Sequence, residues 1–257
     1  MGAVDAARRI VADGTPESAW QRWPRLHRLP TLALDELVPA GARAIVVAPH
    51  PDDEVLAFGG LLAMLAARGS PISIIAVTDG DASHPGSPIW SPQRLALRRR
   101  EESAEGLRRL GLGKLPLHRL GCPDGQVQRR RRGVTAMLQP LLRAGDRVFT
   151  TWSHDGHPDH EATALAVERA CATVGAVALQ APVWMWHWAE PADPRVPWDQ
   201  LYRLPLDAET QARKRAAIAA HQTQLTPQHD GRDAVLTPRR LNRLLRPAEY
   251  FFLRRPR

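Results

Sequence analysis

A histidine and three carboxylates stand together where a buried strand is predicted to end. The apolar run at residues 45–47 is typical of a strand in a parallel sheet. The prolines on either side of His50 turn the chain out of that strand, and Asp52, Asp53 and Glu54 then open a pattern of helical period. Acidic residues suit a helix N-terminus, but imidazole and carboxylate are also zinc ligands. The segment therefore predicts either a helix cap or a metal or acid–base site.

A second cluster of histidines and acids follows another predicted strand. Residues 153–161 read Ser-His-Asp-Gly-His-Pro-Asp-His-Glu, directly after the apolar run 148–152. His157 and His160 flank a Pro-Asp pair at the start of a second helical pattern. Because the carboxyl ends of two strands in one parallel sheet can converge on one ion, the two clusters together favour a shared metal site over two independent helix caps.

Together, the two clusters resemble the motifs of a known family. Pro-His-Pro-Asp-Asp-Glu at 49–54, combined with His-Pro-Asp-His at 157–160, is similar to the PIG-L/LmbE-like family of zinc-dependent de-N-acetylases. That family includes the N-acetylglucosaminyl-phosphatidylinositol de-N-acetylase and the sugar deacetylases of mycothiol and bacillithiol synthesis. The resemblance extends from about residue 43 to about residue 225. It implies a metal-dependent N-deacetylase, a hydrolase acting on non-peptide C–N bonds in linear amides.

The resemblance implies a metal site with three protein ligands. His50, Asp53 and His160 would hold one divalent ion per chain, expected to be zinc, and would leave an open position for water. Glu54 and Asp159 are candidates for the hydrogen bonds that support such ligands.

The same resemblance implies three catalytic residues. Asp52 would act as general base on the bound water. His157, as a protonated donor, would stabilise the oxyanion, and His157 or Asp52 would then protonate the leaving amine. Asp159 beside His157 would orient that ring and raise its pKa.

Asp155 marks a departure from some members of the family. In some of its sugar deacetylases a tyrosine lies two residues before the first histidine of the second motif, and here that place is Asp155. The chain has only two tyrosines, Tyr202 and Tyr250. If a phenol polarises the carbonyl in those relatives, this protein uses another donor or does without one. The difference argues against close identity with the mycothiol enzymes.

Two further residues are aligned with substrate contacts by the resemblance. Arg99 falls at the arginine that holds substrate hydroxyls, with a surface ion pair on its own helix as the alternative. Asp124 falls where the family has an aspartate that binds a sugar hydroxyl, although Asp-Gly is also an ordinary turn pair. The loop at 78–84 should line the pocket, and His84 within it is expected to be solvated rather than functional.

Alternating strand and helix patterns must position these residues. The alternation predicts an α/β fold, a Rossmann-like three-layer sandwich with a mostly parallel sheet and the site beyond its carboxyl edge. The loops at 79–92, 121–129 and 188–198 should ring that site. The predicted strands are 45–47, 71–78, 115–120, 146–151 and 182–188, and the predicted helices are 54–69, 91–110, 130–143 and 160–173.

The segment 182–188 contains three tryptophans at alternate positions. As a strand it would place Trp184, Trp186 and Trp188 on one face, either to stack on a sugar or to fill the core. Met185 and His187 would then lie on the other face, and His187 is a candidate for a contact near the substrate.

The two ends of the chain lie outside the resemblance. Residues 1–40 are predicted to be a helical extension packed on the core, with one helix at 3–13 and another capped by Thr15 and opened by Pro16. Residues 41–257 are predicted to form a single PIG-L/LmbE-like deacetylase domain, in which His221 belongs to a late helix and residues 250–252 dock on the core.

Composition limits the partners. Of the 257 residues 35 are Lys or Arg, and the net charge is +8, yet no aromatic-basic interleaving accompanies the arginine runs, so nucleic acid is not expected. No run of 18 apolar residues occurs and the first residues lack the apolar core of a signal peptide, so neither a transmembrane segment nor a signal peptide is expected. Two isolated cysteines do not suggest a disulfide framework. We expect a cytoplasmic protein that binds a small N-acetylated sugar conjugate, with homo-oligomers left open.

Three functions are compatible with these sequence features. The first is a zinc-dependent hydrolase that removes an N-acetyl group from an N-acetylglucosamine-type sugar or sugar conjugate. The second is a metal-dependent amidase on a non-sugar or thiol-conjugate amide. The third is a catalytically silent basic binding protein, against which the full set of ligand and base residues argues.

Overall fold

A seven-stranded mixed sheet forms the centre of the computed structural model, which describes residues 8, 10 and 12–253. The strands are β1 (Ala44–Ala48), β2 (Ile72–Ala76), β3 (Leu117–Arg119), β4 (Arg147–Thr151), β5 (Val177–Ala181), β6 (Leu201–Pro205) and β7 (Ala248–Phe252). Their order across the sheet is β3-β2-β1-β4-β5-β7-β6. Strands β1 to β5 pair in parallel, whereas β7 runs antiparallel to both β5 and β6. The predicted Rossmann-like α/β fold with a mostly parallel sheet is confirmed.

Helices connect and cover these strands. In the described part of the chain they are α1 (Glu17–Arg22), α2 (Pro24–Arg28), α3 (Leu34–Leu37), α4 (Asp53–Ala67), α5 (Pro92–Arg109), α6 (Val127–Leu138), α7 (Pro158–Val174), α8 (Met185–Trp188), α9 (Ala208–Ile218), α10 (Gln222–Leu225) and α11 (Pro238–Asn242), with 3-10 turns at Gln139–Leu141 and Trp198–Gln200. None of these described helices is long and apolar enough to cross a bilayer.

The sheet separates two apolar clusters. Ala44 and Val46 of β1 belong to the cluster that contains Phe58 of α4, whereas Ile45 and Val47 belong to the cluster that contains α6 and α7 side chains. Side chains of a strand alternate between the two faces of the sheet, so β1 is covered on both sides. This explains why its sequence is an uninterrupted apolar run.

The site lies where the winding of the sheet reverses. From β1 the chain moves outward to β2 and β3, and it then returns to place β4 on the other side of β1. In open α/β sheets the crevice at the carboxyl ends of two such strands is the usual binding site. His50 follows β1 and His157 follows β4, so the topology brings the two motifs to the same crevice.

The predicted strand at 182–188 is wrong. The strand at this place is β5, which ends at Ala181, and residues 185–188 form helix α8. The backbone N–H groups of Val183, Trp184 and Met185 all donate to the carboxylate of Asp155, which holds the chain in a turn. The alternating faces are therefore also wrong, because Trp184, the N-cap of α8, is partly exposed while Met185, Trp186, His187 and Trp188 are all buried.

The N-terminal segment departs from its predicted capping. Pro16 is the N-cap of α1, and the Thr15 hydroxyl donates instead to the carbonyl oxygen of Ala189 at 2.6 Å. Trp20 is fully buried and its indole N–H donates to the carbonyl of Trp186 at 3.0 Å. The predicted helix at 3–13 lies largely outside the described residues, and the division of the chain at residue 40 stays a prediction.

Two further differences concern the ends of elements and the C-terminal strands. The helix predicted at 130–143 begins earlier, at Val127, and becomes a 3-10 turn after Leu138. Residues 250–252 pack on the core as predicted, but they do so as part of β7, which pairs with the unpredicted strand β6.

Candidate metal centre

Three side-chain atoms from the two motifs form a nearly equilateral triangle. Asp53 Oδ2 lies 3.2 Å from His50 Nδ1 and 3.2 Å from His160 Nε2, and the two nitrogens are 3.3 Å apart. A tetrahedral zinc ion with bonds of about 2.0 Å separates its ligand atoms by about 3.3 Å. The three atoms therefore fit one triangular face of a zinc coordination sphere.

The remaining nitrogen of each histidine is held by a carboxylate. Asp155 Oδ2 lies 2.8 Å from His160 Nδ1, which places the proton on that nitrogen and leaves the Nε2 lone pair facing the triangle. His50 Nε2 lies 3.3 Å from Asp124 Oδ1 and 3.5 Å from Asp159 Oδ2. Carboxylates in these positions are the usual orienting partners of metal-binding histidines.

Two other sets of potential ligands share His50. Donor atoms of His50, His157 and His160 lie within 4.8 Å of one another, as do those of His50, Asp124 and Asp159. We favour the triangle for the following reason. In it each histidine offers one ring nitrogen to the ion, while its other nitrogen contacts a carboxylate outside the triangle.

The charges of the cluster reinforce one another. Burial opposes the charge on His50, but hydrogen bonds to Asp124, Asp159 and Asp53 raise its pKa well above the usual value. Burial likewise opposes the charge on His160, but Asp53 and Asp155 raise its pKa to about 9. The pKa of Asp53 falls far below its usual range despite burial, because His160 and His50 both face it. A cation is thus favoured at this point.

Asp52 is held beside the triangle in an unusual backbone conformation. Its φ of 157° and ψ of −28° lie outside the regions that non-glycine residues normally occupy. The backbone N–H of Asp52 donates to Glu54 Oε2 at 3.0 Å, and Glu54 also accepts from Ser103 at 2.5 Å. Such outliers persist only where the surroundings enforce them, and Glu54 is one of the groups that do so.

Burial raises the pKa of Asp52 to about 7. The charge of Arg99 opposes this shift, as does His50, whereas the neighbouring Asp53 and Glu54 act with it. A carboxylate with a pKa near neutrality accepts a proton more readily than an ordinary aspartate does. This environment suits a general base.

His157 and Asp159 do not pair as predicted. The Asp159 carboxylate accepts from the backbone N–H groups of Gly125 at 2.7 Å and Val127 at 3.1 Å, and it faces His50 rather than His157. Burial and the imidazoles of His160 and His50 lower the pKa of His157 well below its usual value, so the expected rise is wrong. The Nδ1 of His157 accepts from the backbone N–H of Asp159 at 3.3 Å, which leaves the neutral ring with an Nε2–H donor.

Arg99 is buried, so the alternative of a surface ion pair on its own helix is wrong. Its guanidinium donates to Asp52 Oδ2 at 3.1 Å, to the carbonyl of Pro51 at 3.0 Å and to the carbonyl of Gly80 at 3.1 Å. A Cβ on Gly80 would lie only 2.0 Å from Arg99 Nη1, so a glycine is needed for this approach. Arg99 connects the loop after β2 to the two residues that precede α4.

One cavity of about 310 Å³ contains almost all of the predicted site. Among the described residues, the loop at 188–198 contributes nothing to the lining of this cavity. The lining includes Trp184, Gln224, Val235 and Leu236 instead. The predicted site residues that line the cavity are His50, Asp52, Asp53, Arg99, Asp124, His157 and His160.

The other histidines lie outside this cavity lining. His84 is buried against Ser83, with 2.9 Å between its Nδ1 and the hydroxyl oxygen, so the expected solvated ring is wrong. His187 is buried and contacts Arg243 Nη1 at 2.9 Å. His221 is buried, and burial together with the charge of Arg99 lowers its pKa to about 3.

Comparison with known proteins identifies the domain. Residues 45–171 match the family model of PIG-L, described as GlcNAc-PI de-N-acetylase. The chain contains a PIG-L family domain. The matched range begins in β1 and ends in α7, so the PIG-L domain match includes both motifs of the metal centre.

Relatives of the PIG-L domain are named as deacetylases. The chain is 28% identical over 144 residues to the 1D-myo-inositol 2-acetamido-2-deoxy-alpha-D-glucopyranoside deacetylase of Corynebacterium glutamicum, covering 47% of this chain and 50% of the relative. It is 27% identical over 132 residues to the diacetylchitobiose deacetylase of Thermococcus kodakarensis, covering 46% and 45%. The chain thus spans about half the length of these curated relatives.

A solved structure extends the similarity beyond the PIG-L match. The crystal structure of the conserved protein TT1542 from Thermus thermophilus aligns with a TM-score of 0.59 and 25% sequence identity. The alignment covers 83% of this chain and 94% of that protein, and it supports the same fold over most of the chain.

Sequence reasoning missed the contribution of Asp155, which orients His160. In the sequence the residue stands out only as the replacement of a tyrosine. Its position within a His-rich loop that follows a strand was the available signal, because carboxylates near metal-binding histidines commonly orient them.

Proposed function

We propose that the chain is a zinc-dependent hydrolase that removes the N-acetyl group from an N-acetylglucosamine-type sugar or sugar conjugate. The observation that carries this proposal is the triangle of His50 Nδ1, Asp53 Oδ2 and His160 Nε2, whose sides match zinc coordination. The relatives named as deacetylases of acetamido sugars support the choice of substrate.

Each residue of the site has a role in this reaction. His50, Asp53 and His160 would hold the ion, which when bound would lower the pKa of water and polarise an amide carbonyl. Asp52 would accept a proton as water attacks the carbonyl carbon. The Nε2–H of His157 would donate to the carbonyl oxygen as negative charge develops there.

The second half of the reaction returns the proton. The C–N bond breaks, and the proton held by Asp52 passes to the nitrogen of the leaving amine, so that one water and one amide yield acetic acid and an amine. The acid ionises to acetate, and its proton is taken up by the amine. Arg99 would hold the Asp52 carboxylate in place through the 3.1 Å contact. Asp124, which faces the cavity, remains the proposed contact for a sugar hydroxyl.

Metal analysis tests the ligand set. The purified protein is expected to bind about one divalent ion per chain, zinc or a close substitute. His160→Ala should lose that ion, whereas His154→Ala should keep it, because His154 is an exposed histidine of the loop that precedes α7. A folded wild-type protein that binds no zinc would refute the proposal.

Acetate release tests the reaction. Zinc-loaded protein should release acetate from N-acetylglucosamine conjugates, and Asp52→Asn should keep zinc while losing at least about a hundredfold in kcat. Release of acetate from non-sugar amides alone would favour the broader metal amidase. A zinc-loaded protein that hydrolyses no amide in either panel would favour a binding protein.

A further inference from the structure

We propose that Trp184 is a specificity-determining residue whose ring receives the apolar face of the substrate sugar, and that Asp155 is a positioning residue that holds Trp184 and His160 together. This inference rests on the proposed function and adds to it the part of the protein that recognises the sugar ring. Neither residue belongs to the two motifs that carry the chemistry.

Trp184 differs from the other tryptophans of its segment. Its side chain lines the cavity and is partly exposed, whereas Trp186 and Trp188 are buried. Because Trp186 and Trp188 are packed inside the core, Trp184 is the tryptophan of this segment that a ligand in the cavity can contact.

Aliphatic side chains continue the apolar wall from Trp184. Leu56, Val235 and Leu236 line the same cavity. The guanidinium carbon of Arg240 lies 6.0 Å from the centre of the Trp184 ring, and Arg240 Nη1 donates to the carbonyl of Val235 at 2.7 Å. Arg240 therefore connects the tryptophan to the segment that carries Val235 and Leu236.

Polar groups complete the lining. Ser83, Asp124 and Gln224 face the same cavity as Trp184. A pyranose ring has apolar C–H faces and a polar rim of hydroxyls, so it needs both kinds of surface. Ligand sites commonly combine an aromatic or aliphatic wall with a few polar groups that fix orientation.

One carboxylate links this wall to the metal centre. Asp155 Oδ2 contacts His160 Nδ1 at 2.8 Å and accepts from the backbone N–H of Trp184 at 3.0 Å. Its Oδ1 accepts from the backbone N–H groups of Val183 and Met185, both at 2.9 Å. A single fully buried carboxylate thus contacts both the His160 ring and the backbone that carries Trp184.

Substitution of Trp184 tests the recognition of the sugar. With zinc-loaded protein and an N-acetylglucosamine conjugate, Trp184→Leu should raise KM by about three- to tenfold, and Trp184→Phe should stay close to wild type. Zinc content should not change in either variant. Trp90→Leu is the matched control, because Trp90 is a partly exposed tryptophan outside this cavity lining.

Substitution of Asp155 tests the coupling. Asp155→Asn should weaken zinc binding by about ten- to a hundredfold, measured with a chelating competitor, and should also raise KM for the sugar. Asp146→Asn is the control for a purely structural loss, because Asp146 is a buried carboxylate that holds Arg43 and the backbone N–H of Arg143. It should lower stability without changing zinc affinity.

The outcomes separate this inference from the proposed function. A wild-type enzyme that releases no acetate from any N-acetylated sugar refutes the proposed function. A wild-type enzyme that does so, with an unchanged KM in Trp184→Leu, refutes the role of Trp184 alone. Normal zinc affinity and KM in a folded Asp155→Asn variant refute the role of Asp155.

Discussion

Lys214 is one of only two lysines in the chain, and it forms a buried ion pair whose removal has a calculable effect. Its Nζ lies 2.6 Å from Glu249 Oε1, and the two side chains are 3% and 1% exposed. The Glu249 carboxylate also accepts from the backbone N–H groups of Gly60 at 2.7 Å and Leu61 at 2.8 Å. The pair therefore ties α9 and β7 to the middle of α4.

Two glycines of α4 make this approach possible. A Cβ on Gly59 would lie 3.1 Å from Lys214 Cγ, and a Cβ on Gly60 would lie 2.5 Å from a methyl group of Leu206. Helix α4 begins at Asp53, in the first motif of the site. The ion pair thus contributes to the placement of the helix that carries the metal ligand.

The loss of stability in Lys214→Met follows from leaving the buried Glu249 carboxylate without its cation. Breaking a buried pair by removing one partner costs about 3–5 kcal/mol. Since Glu249 keeps two backbone donors, we expect Lys214→Met to lower the free energy of unfolding by about 3 kcal/mol. For a chain of this length that corresponds to a fall in Tm of about 6–12 °C.

Urea denaturation followed by tryptophan fluorescence measures this change. Arg213→Met is the matched control, because Arg213 is the neighbouring cation of α9 and its pair with Glu209 is exposed. That control should change the free energy of unfolding by less than about 0.5 kcal/mol.

A double variant separates the unpaired charge from lost packing. Lys214→Met combined with Glu249→Gln removes the charge while keeping an oxygen that accepts a backbone N–H, so it should recover at least about 1 kcal/mol relative to Lys214→Met. A loss below about 1 kcal/mol in Lys214→Met, or no recovery in the double variant, would show that the reasoning is wrong.

Two further predictions concern the surroundings of Asp52. Gly80→Ala should displace Arg99 and lower kcat/KM by about ten- to a hundredfold at unchanged zinc content, whereas Gly86→Ala, with a similar φ of 74° and no described atom within 4 Å of its Cβ, should only lower stability. The pKa of His221 is about 3 in the folded state, whereas it is about 6.5 in the unfolded state. As the pH falls from 6.5 toward 3, the unfolded state therefore binds a proton that the folded state does not bind, and the stability of the protein falls. Urea denaturation should therefore show that His221→Leu gains between about 1 and 2 kcal/mol relative to wild type when the pH is lowered from 6.5 to 5. An unchanged difference would contradict the assignment.

Strands β1 to β4, and the meeting of the two motifs at one crevice, were predictable because they depend on local pattern and on a rule of topology. Runs such as 45–47 are apolar because β1 is covered on both faces. His50 and His160 are 110 residues apart, yet both follow strands that are neighbours in the sheet. A parallel sheet that reverses its winding brings such ends together, so two motifs were enough to locate the site.

The segment 182–188 could not be predicted in the same way. Its alternating tryptophans have the period of a strand, but Asp155, nearly thirty residues earlier, accepts three consecutive backbone N–H groups and turns the chain into α8. A tertiary contact of this kind overrides local propensity. Strands β6 and β7 were missed for a related reason, since they pair with each other, with the end of β5 and, at Arg203 of β6, with the distant Thr31.

The contacts of Arg99 and Asp159 show that matching a residue to a motif position does not determine which group its side chain contacts. The register of α5 identified Arg99, but the same guanidinium serves equally well on a substrate hydroxyl or on a carboxylate, and here it donates to Asp52. Asp159 lies beside His157 in the sequence, yet a helix N-terminus directs its carboxylate toward backbone N–H groups of a neighbouring loop and toward His50. Residues two apart at a helix start face nearly opposite directions, because each successive side chain is rotated by about 100°. Helix geometry therefore decides which acid pairs with which histidine in this site. Proximity in the sequence alone would pair Asp159 with His157, whereas its carboxylate faces His50.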